Sequence, residues 1–251
     1  MKTAMKTDVG HHRSINEDRV MVKTGAGGLT LAVVADGMGG HQAGDIASQL
    51  AVDAIDELLR PVLESGGGND MEALVREAIL SANDKVFQFA STADQYYGMG
   101  TTIVVALADR ERIVLGHIGD SRAYLWDRGR FVQLTEDHSL VNELLKRGQI
   151  SAEEADHHPR RNVLTRALGT ERVVEAEIAF HRWKEHDMLL LCTDGLSGLV
   201  GTDKMAEVLS ADRELDWKAD ELVRLALEAG GDDNITVILL SNEENQAEDR
   251  G

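Results

Sequence analysis

The chain has 251 residues, 43% of them hydrophobic, enough to fill one large core, and its formal net charge of −18 with a pI near 4.8 leaves no basic patch for a nucleic-acid groove or a polybasic membrane surface. The single cysteine, Cys192, rules out an intrachain disulfide. No apolar run approaches the ~18 residues of a membrane span, and residues 1–10 lack a signal-peptide stretch, so the chain reads as a cytoplasmic monomer.

In chain order, residues 19–23 and 29–35 read as strands around a turn-rich stretch at 25–28. Two helices follow. Ala47, Leu50, Ala51, Ala54, Ile55 and Leu58 keep three-and-four spacing, as do Leu74, Ala78, Ala82, Val86 and Phe89 after the N-cap residue Asp70. Residues 101–108, 112–118, 121–126 and 130–134 read as an antiparallel series, because connections this short cannot be parallel crossovers. After a polar, partly helical stretch at 138–172, strands recur at 174–181 and 188–192, then a helix near 217–228 and a closing strand at 235–240. Many antiparallel strands with two helical sections predict an α+β layered domain, sheet on sheet with helices outside. It spans residues 1–241, and residues 242–251 form an acidic tail without apolar periodicity, expected to be disordered.

Three aspartates stand where apolar runs meet glycine: Asp36 in LTLAVVADGMGGH, Asp194 in DMLLLCTDG and Asp233 in GGDDNITVILL, the last with Asp232 as a competitor that the spacing leaves open. Carboxylates from distant strands, with glycines that admit a close ligand, suggest one oxygen-rich site for hard cations such as magnesium or manganese. The glycines at 37, 39 and 40 also allow a backbone carbonyl, that of Gly37, to face a cation. Glu17 and Asp18 in RSINEDR precede the first strand and can bind a metal pair or its waters. Asp120, in the Gly119-Asp120-Ser121 break, reads on its own as a hairpin turn. His41, His117 and His138 read as loop-holding hydrogen-bonders, and Cys192 as core packing.

RSINEDR, ADGMGGH, Gly100-Thr101-Thr102, HIGDSRAYL, LTEDHSLV, LTRALG, CTDGL and GGDDNIT stand in the order seen in metal-dependent serine/threonine protein phosphatases of type 2C, bacterial branch, and the resemblance covers about residues 8–240. It implies a four-layer αββα sandwich with a small flap at 138–172 and a pair of divalent cations, manganese or magnesium, at one rim. It gives Asp36 the bridging role, Gly37 a carbonyl ligand and Asp194 and Asp233 the remaining metal contacts, so that Asp233 is selected over Asp232. It further implies that Glu17 and Asp18 hold metals and waters, that Arg13 receives the substrate phosphate, and that Asp120 with Asp194 holds a third cation, which reverses the hairpin reading.

The implied reaction is hydrolysis of phosphoserine and phosphothreonine in proteins by direct attack of a metal-bridged hydroxide. Met38, where eukaryotic members carry His, cannot protonate the leaving alkoxide. A water on the third metal and His41 are the two candidates for that role, the water being favoured because Asp120 is present. The implied partners are phosphorylated proteins and a serine/threonine kinase that the enzyme opposes. Two rivals are weighed against this. A phospho-aspartate mechanism of the haloacid dehalogenase type needs a second aspartate two positions after the nucleophile, where this chain has Met38 and Leu196. A degenerate fold that only binds phosphoproteins would have lost acidic ligands, and none is missing. The flap carries six Lys or Arg against five acids in an otherwise acidic chain, with Arg160 and Arg161 the expected substrate contacts.

Overall fold

The apolar runs are explained by strands that bury both faces. The computed structural model describes residues 1–39, 43–67, 70–127 and 129–243, the Asp156 side chain excepted. Its strands and helices are, in order, β1 (Lys2–Asp8), β2 (Asp18–Thr24), β3 (Thr30–Met38), α1 (Ala43–Ser65), α2 (Met71–Ala90), β4 (Gly100–Thr101), β5 (Ile103–Ala108), β6 (Arg112–Ile118), β7 (Arg122–Asp127) and β8 (Arg130–Gln133). They continue with α3 (Leu140–Lys146), α4 (Ala152–Asp156), β9 (Glu177–Arg182), β10 (Met188–Cys192), α5 (Asp194–Ser197), α6 (Thr202–Ser210), α7 (Leu215–Glu228) and β11 (Ile235–Ser241). One sheet has the order β1-β11-β10-β7-β8, the other β2-β3-β5-β6-β9 with β4 added beside β3, and the described pairings are antiparallel.

Three apolar layers hold these parts together, and strand alternation assigns side chains among them. Along β3, Leu31, Val33 and Ala35 pack under α1 and α2, while Ala32 and Val34 face the other sheet. Along β10, Leu190 and Cys192 meet the layer of α6 and α7, while Leu189 and Leu191 face inward; β11 divides Val237 and Leu239 from Ile238 and Leu240 in the same way. The result is the αββα sandwich expected. Asp70 caps α2, its side chain accepting from the Ala73 N–H at 3.0 Å.

Four expectations need correction. β1 was not apparent in the sequence: KTAMKTD exposes lysines and buries only Ala4, as an edge strand that discourages further pairing does. The series from 101 to 134 is not one meander. β6 pairs with β5 and β9, β7 with β10 and β8, so the break at Gly119–Asp120 passes the chain from one sheet to the other and is not a hairpin. The strand expected at 174–181 begins only at Glu177. Finally, Asn242 and Glu243 belong to the fold. Asn242 is 2% exposed, exchanges backbone hydrogen bonds with His186 and Asp187 and donates from Nδ2 to Arg110 O, while Glu243 pairs with Lys2. The rest of the expected tail, 244–251, lies outside the described residues.

Candidate metal centre

Two strands of one sheet bring the first carboxylates together. Ala32 and Val34 face the gap between the sheets, and the two-residue period puts Asp36 on that side at the rim. Asp18, at the start of β2, is the register partner of Asp36. The Asp36 peptide is gripped on both sides: its N–H donates to Thr102 Oγ1 (3.0 Å), and its carbonyl accepts from the Thr102 N–H (2.9 Å) and Thr101 Oγ1 (2.9 Å). Glycine at 37 is required by close approach, since a Cβ there would lie 2.1 Å from Gly44 O and 2.7 Å from Glu17 O.

The other sheet supplies the opposing side. Thr193 Oγ1 accepts from the Thr236 N–H (3.0 Å) and donates to Asp18 Oδ2 (3.0 Å), and the next residue, Asp194, opens α5. Asp233 precedes β11 and accepts from Arg13 Nη2 at 2.8 Å, whereas Asp232 lies outward beside His12. Asn234, 5% exposed, pins the segment that carries Arg13 and Glu17: its Nδ2 donates to Val9 O (2.9 Å) and Ile15 O (3.0 Å), and its Oδ1 accepts from the Glu17 N–H (2.8 Å). Sequence reasoning missed Asn234, Thr193 and Thr102. Their signal was motif membership alone, because their partners are distant in sequence.

Asp120 follows Gly119, whose φ of +107° suits glycine and whose Cβ would meet the Thr102 side chain. Ser121 Oγ lies 2.8 Å from Thr102 Oγ1, which ties this crossover to the Asp36 peptide. Arg122 forms a two-pronged pair with Asp137, Nε to Oδ1 at 2.9 Å and Nη2 to Oδ2 at 2.6 Å. A cavity of about 580 Å³ extends from Asp120 and Asp194 past Val141, Leu145 and Arg161 to Leu199. Arg160 is exposed and is not among its lining residues. His41, with Gly40 and Gln42, lies outside the described residues.

So many acids in one buried place repel. Burial first, then Asp18, Asp194, Asp120 and Asp233, hold the Asp36 carboxyl well above the ordinary carboxylate range. Burial pushes Asp18 up to about 7 against hydrogen bonds from Thr236 and Thr193, with Asp194 and Asp233 adding repulsion. Asp120 also stands at about 7, through burial and then the charges of Asp194 and Asp137. Asp194 is raised by burial and by Asp233, and Glu17 by burial, with Arg13 opposing. Glu17 Oε1, Asp18 Oδ1 and Asp194 Oδ1 are buried without a hydrogen-bond partner. Buried polar atoms are rarely left so, and an all-oxygen set of mutually repelling carboxylates fits hard divalent cations.

Comparison with known proteins agrees. Residues 10–221 match the family model described as Protein phosphatase 2C. The serine/threonine phosphatase stp of Listeria monocytogenes is 40% identical over 246 residues, covering 98% of each chain. The crystal structure of the Mycobacterium tuberculosis serine/threonine phosphatase PstP/Ppp superposes with a TM-score of 0.88 at 37% identity, over 97% of this chain and 99% of that one. A structure of the PstP catalytic domain in complex with two manganese ions gives a TM-score of 0.83 at 36% identity, over 95% and 96%. The chain belongs to the protein phosphatase 2C family of metal-dependent protein phosphatases.

Proposed function

We propose that this protein removes phosphate from phosphoserine and phosphothreonine in proteins, using two divalent cations, manganese or magnesium, held by Asp36, the Gly37 carbonyl, Asp194 and Asp233. The observation that carries the reading is the convergence of Asp18, Asp36, Asp120, Asp194 and Asp233 at one rim, with buried carboxylate oxygens lacking hydrogen-bond partners. Bound there, such cations supply Lewis acidity at phosphorus and lower the pKa of water. Glu17 and Asp18 hold the surrounding waters, and Asp120 with Asp194 takes a third cation. Arg13, held at the edge of the cluster by Asp233 and half exposed, offers a planar fork to phosphate oxygens. Met38 ends β3 with no proton to donate, so protonation of the leaving alkoxide falls to solvent at the third site or to His41.

We read the chain through Glu243 as one phosphatase domain, with 138–172 as a flap over the cavity that leads to Asp120. The biological setting we propose is a cytoplasmic monomer that opposes a serine/threonine kinase. No helix among the described residues is long and apolar enough to cross a membrane. The degenerate-fold alternative is not favoured, since all six acids are retained and meet. The test is hydrolysis of phosphoserine, phosphothreonine and phosphotyrosine peptides before and after chelation. Activity on the first two should vanish on chelation and return with manganese or magnesium; full turnover in stripped protein would reject the reading.

A further inference from the structure

His138 joins segments that are far apart in sequence. Its Nδ1 accepts from the Gly119 N–H at 3.1 Å, its own N–H donates to the Gly119 carbonyl at 2.9 Å, and its carbonyl accepts from the Thr165 N–H at 2.8 Å. Because Nδ1 accepts, the ring proton sits on Nε2, which donates to Glu177 Oε1 at 3.0 Å. The same carboxylate oxygen accepts from Arg166 Nη2 at 2.9 Å. The His117 ring stacks on His138 with centroids 4.7 Å apart.

His117, His138 and Glu177 offer donor atoms within 4.8 Å of one another, a spacing that a transition metal could bridge. Two features oppose that use. A metal on His138 Nε2 would leave Nδ1 needing its proton, while Nδ1 is already accepting one from Gly119. The Arg166 guanidinium also already neutralises Glu177.

The hub instead controls the crossover. The Gly119 carbonyl belongs to the peptide that leads into Asp120, and the Gly119 N–H to the peptide before it, so His138 fixes both peptide planes of Gly119, the second of which sets the approach to Asp120. On its other side the hub holds Thr165 directly and Arg166 through Glu177, on the returning limb of the flap. We propose that His138 is a positioning residue, which holds the Asp120 turn in the orientation needed for the third cation and ties that turn to the flap. This rests on the reading of Asp120 as a third-cation ligand.

Isosteric amides separate the two ring nitrogens. In His138→Asn the amide oxygen can take the place of Nδ1 and keep the bond from the Gly119 N–H; in His138→Gln the amide nitrogen can keep the Glu177 bond while the bond from the Gly119 N–H is lost, the backbone bond to the Gly119 carbonyl staying in both. Glu177→Ala, at a side chain 41% exposed, removes the anchor without opening the core. Three readouts apply: hydrogen exchange of the Gly119 amide in metal-free protein, manganese binding followed directly by electron paramagnetic resonance, and phosphopeptide kinetics. His138→Gln should deprotect Gly119 and weaken the third, low-affinity manganese site by about tenfold, with kcat falling alongside, while the two tighter sites are unchanged. His138→Asn should keep Gly119 protected and the weak site within about twofold of wild type, and Glu177→Ala should weaken that site a few-fold. Asp120→Asn is the reference for the underlying reading. If it loses the weak site while His138→Gln and Glu177→Ala keep it, the positioning role is wrong and the third-cation reading survives. If Asp120→Asn keeps the weak site, both fall. Equal losses in His138→Asn and His138→Gln would reduce His138 to a packing role and overturn the proposal.

Discussion

Removing the metals should make the stability of this protein depend on pH in a direction set by its acid cluster. In metal-free protein, Asp18 and Asp120 both titrate at about 7, against 3.8 for an ordinary aspartate. Folding therefore favours their protonated forms: their contribution is fully present below about pH 4 and is lost as the pH rises through about 7. A single carboxyl moved that far destabilises the ionised fold by on the order of 4 kcal/mol, and the two are not summed, because both feel Asp194. His138 works the other way. Burial lowers it to about 4, so its contribution is lost as the pH falls below 6.5. That effect is common to stripped and loaded protein and cancels in their difference. Divalent cations would replace the missing protons in the loaded state; about 2.6 kcal/mol of one carboxyl's shift falls between about pH 5 and about pH 8, so the gap in melting temperature between manganese-loaded and chelator-stripped protein should widen by about 5 to 11 °C across that range. Thermal melts of both forms across that range measure it. A gap that stays constant or narrows would refute the account of the cluster as a set of carboxylates waiting for cations.

Asp36→Asn and Asp194→Asn should lose nearly all turnover and manganese affinity, while the stripped variants melt no lower than stripped wild type because repulsion has been relieved; a large drop in stripped melting temperature would mean that these side chains are structural. Arg13→Ala should raise KM with a smaller change in kcat, and a collapse of kcat at constant KM would instead put Arg13 in the transition state. Replacing Arg160 and Arg161 together by Ala should slow hydrolysis of a phosphoprotein more than of a small aryl phosphate, most of the effect tracing to Arg161 on the cavity wall; equal slowing would remove the flap from recognition. Leu191→Ala, fully buried between the sheets, should cost about 2–5 kcal/mol in denaturant unfolding, and a loss under 1 kcal/mol would show that this layer repacks freely.

The parts of the site legible in the sequence were those with a local signature. Asp36 and Asp194 stand out because a carboxylate beside glycine interrupts an apolar run, and the run itself records burial on two faces. Asp233 and Asp120 needed the ordered series of motifs, since Asp232 has the same local chemistry and Gly119-Asp120-Ser121 has the local form of a hairpin. What decides between hairpin and crossover is the choice of partner: β6 continues to β9 and β7 to β10, pairings made with chain more than fifty residues away. The same non-locality hid Asn234, which works on Val9, Ile15 and Glu17 from the far end of the chain, and β1, whose lysines conceal a strand that pairs with the distant β11.

The centre lies at a seam, and this makes its geometry a property of the whole sandwich. β2 and β3 bring Asp18 and Asp36 from one sheet; Thr193–Asp194 and Asp233 arrive with β10 and β11 of the other. The bond from Thr193 to Asp18 crosses that seam directly, and the Thr102–Ser121 contact crosses it again through the Asp120 turn. Only a few residues back from the acids, Val34, Leu191 and Ile238 fill the inter-sheet layer, so packing there sets how far apart the two halves of the cluster stand. Mutual repulsion among the carboxylates pushes the halves apart, and the apolar layer behind them resists it. Cations bound between them would reverse the sign of that force and so couple metal affinity to the rigidity of the core behind the acids.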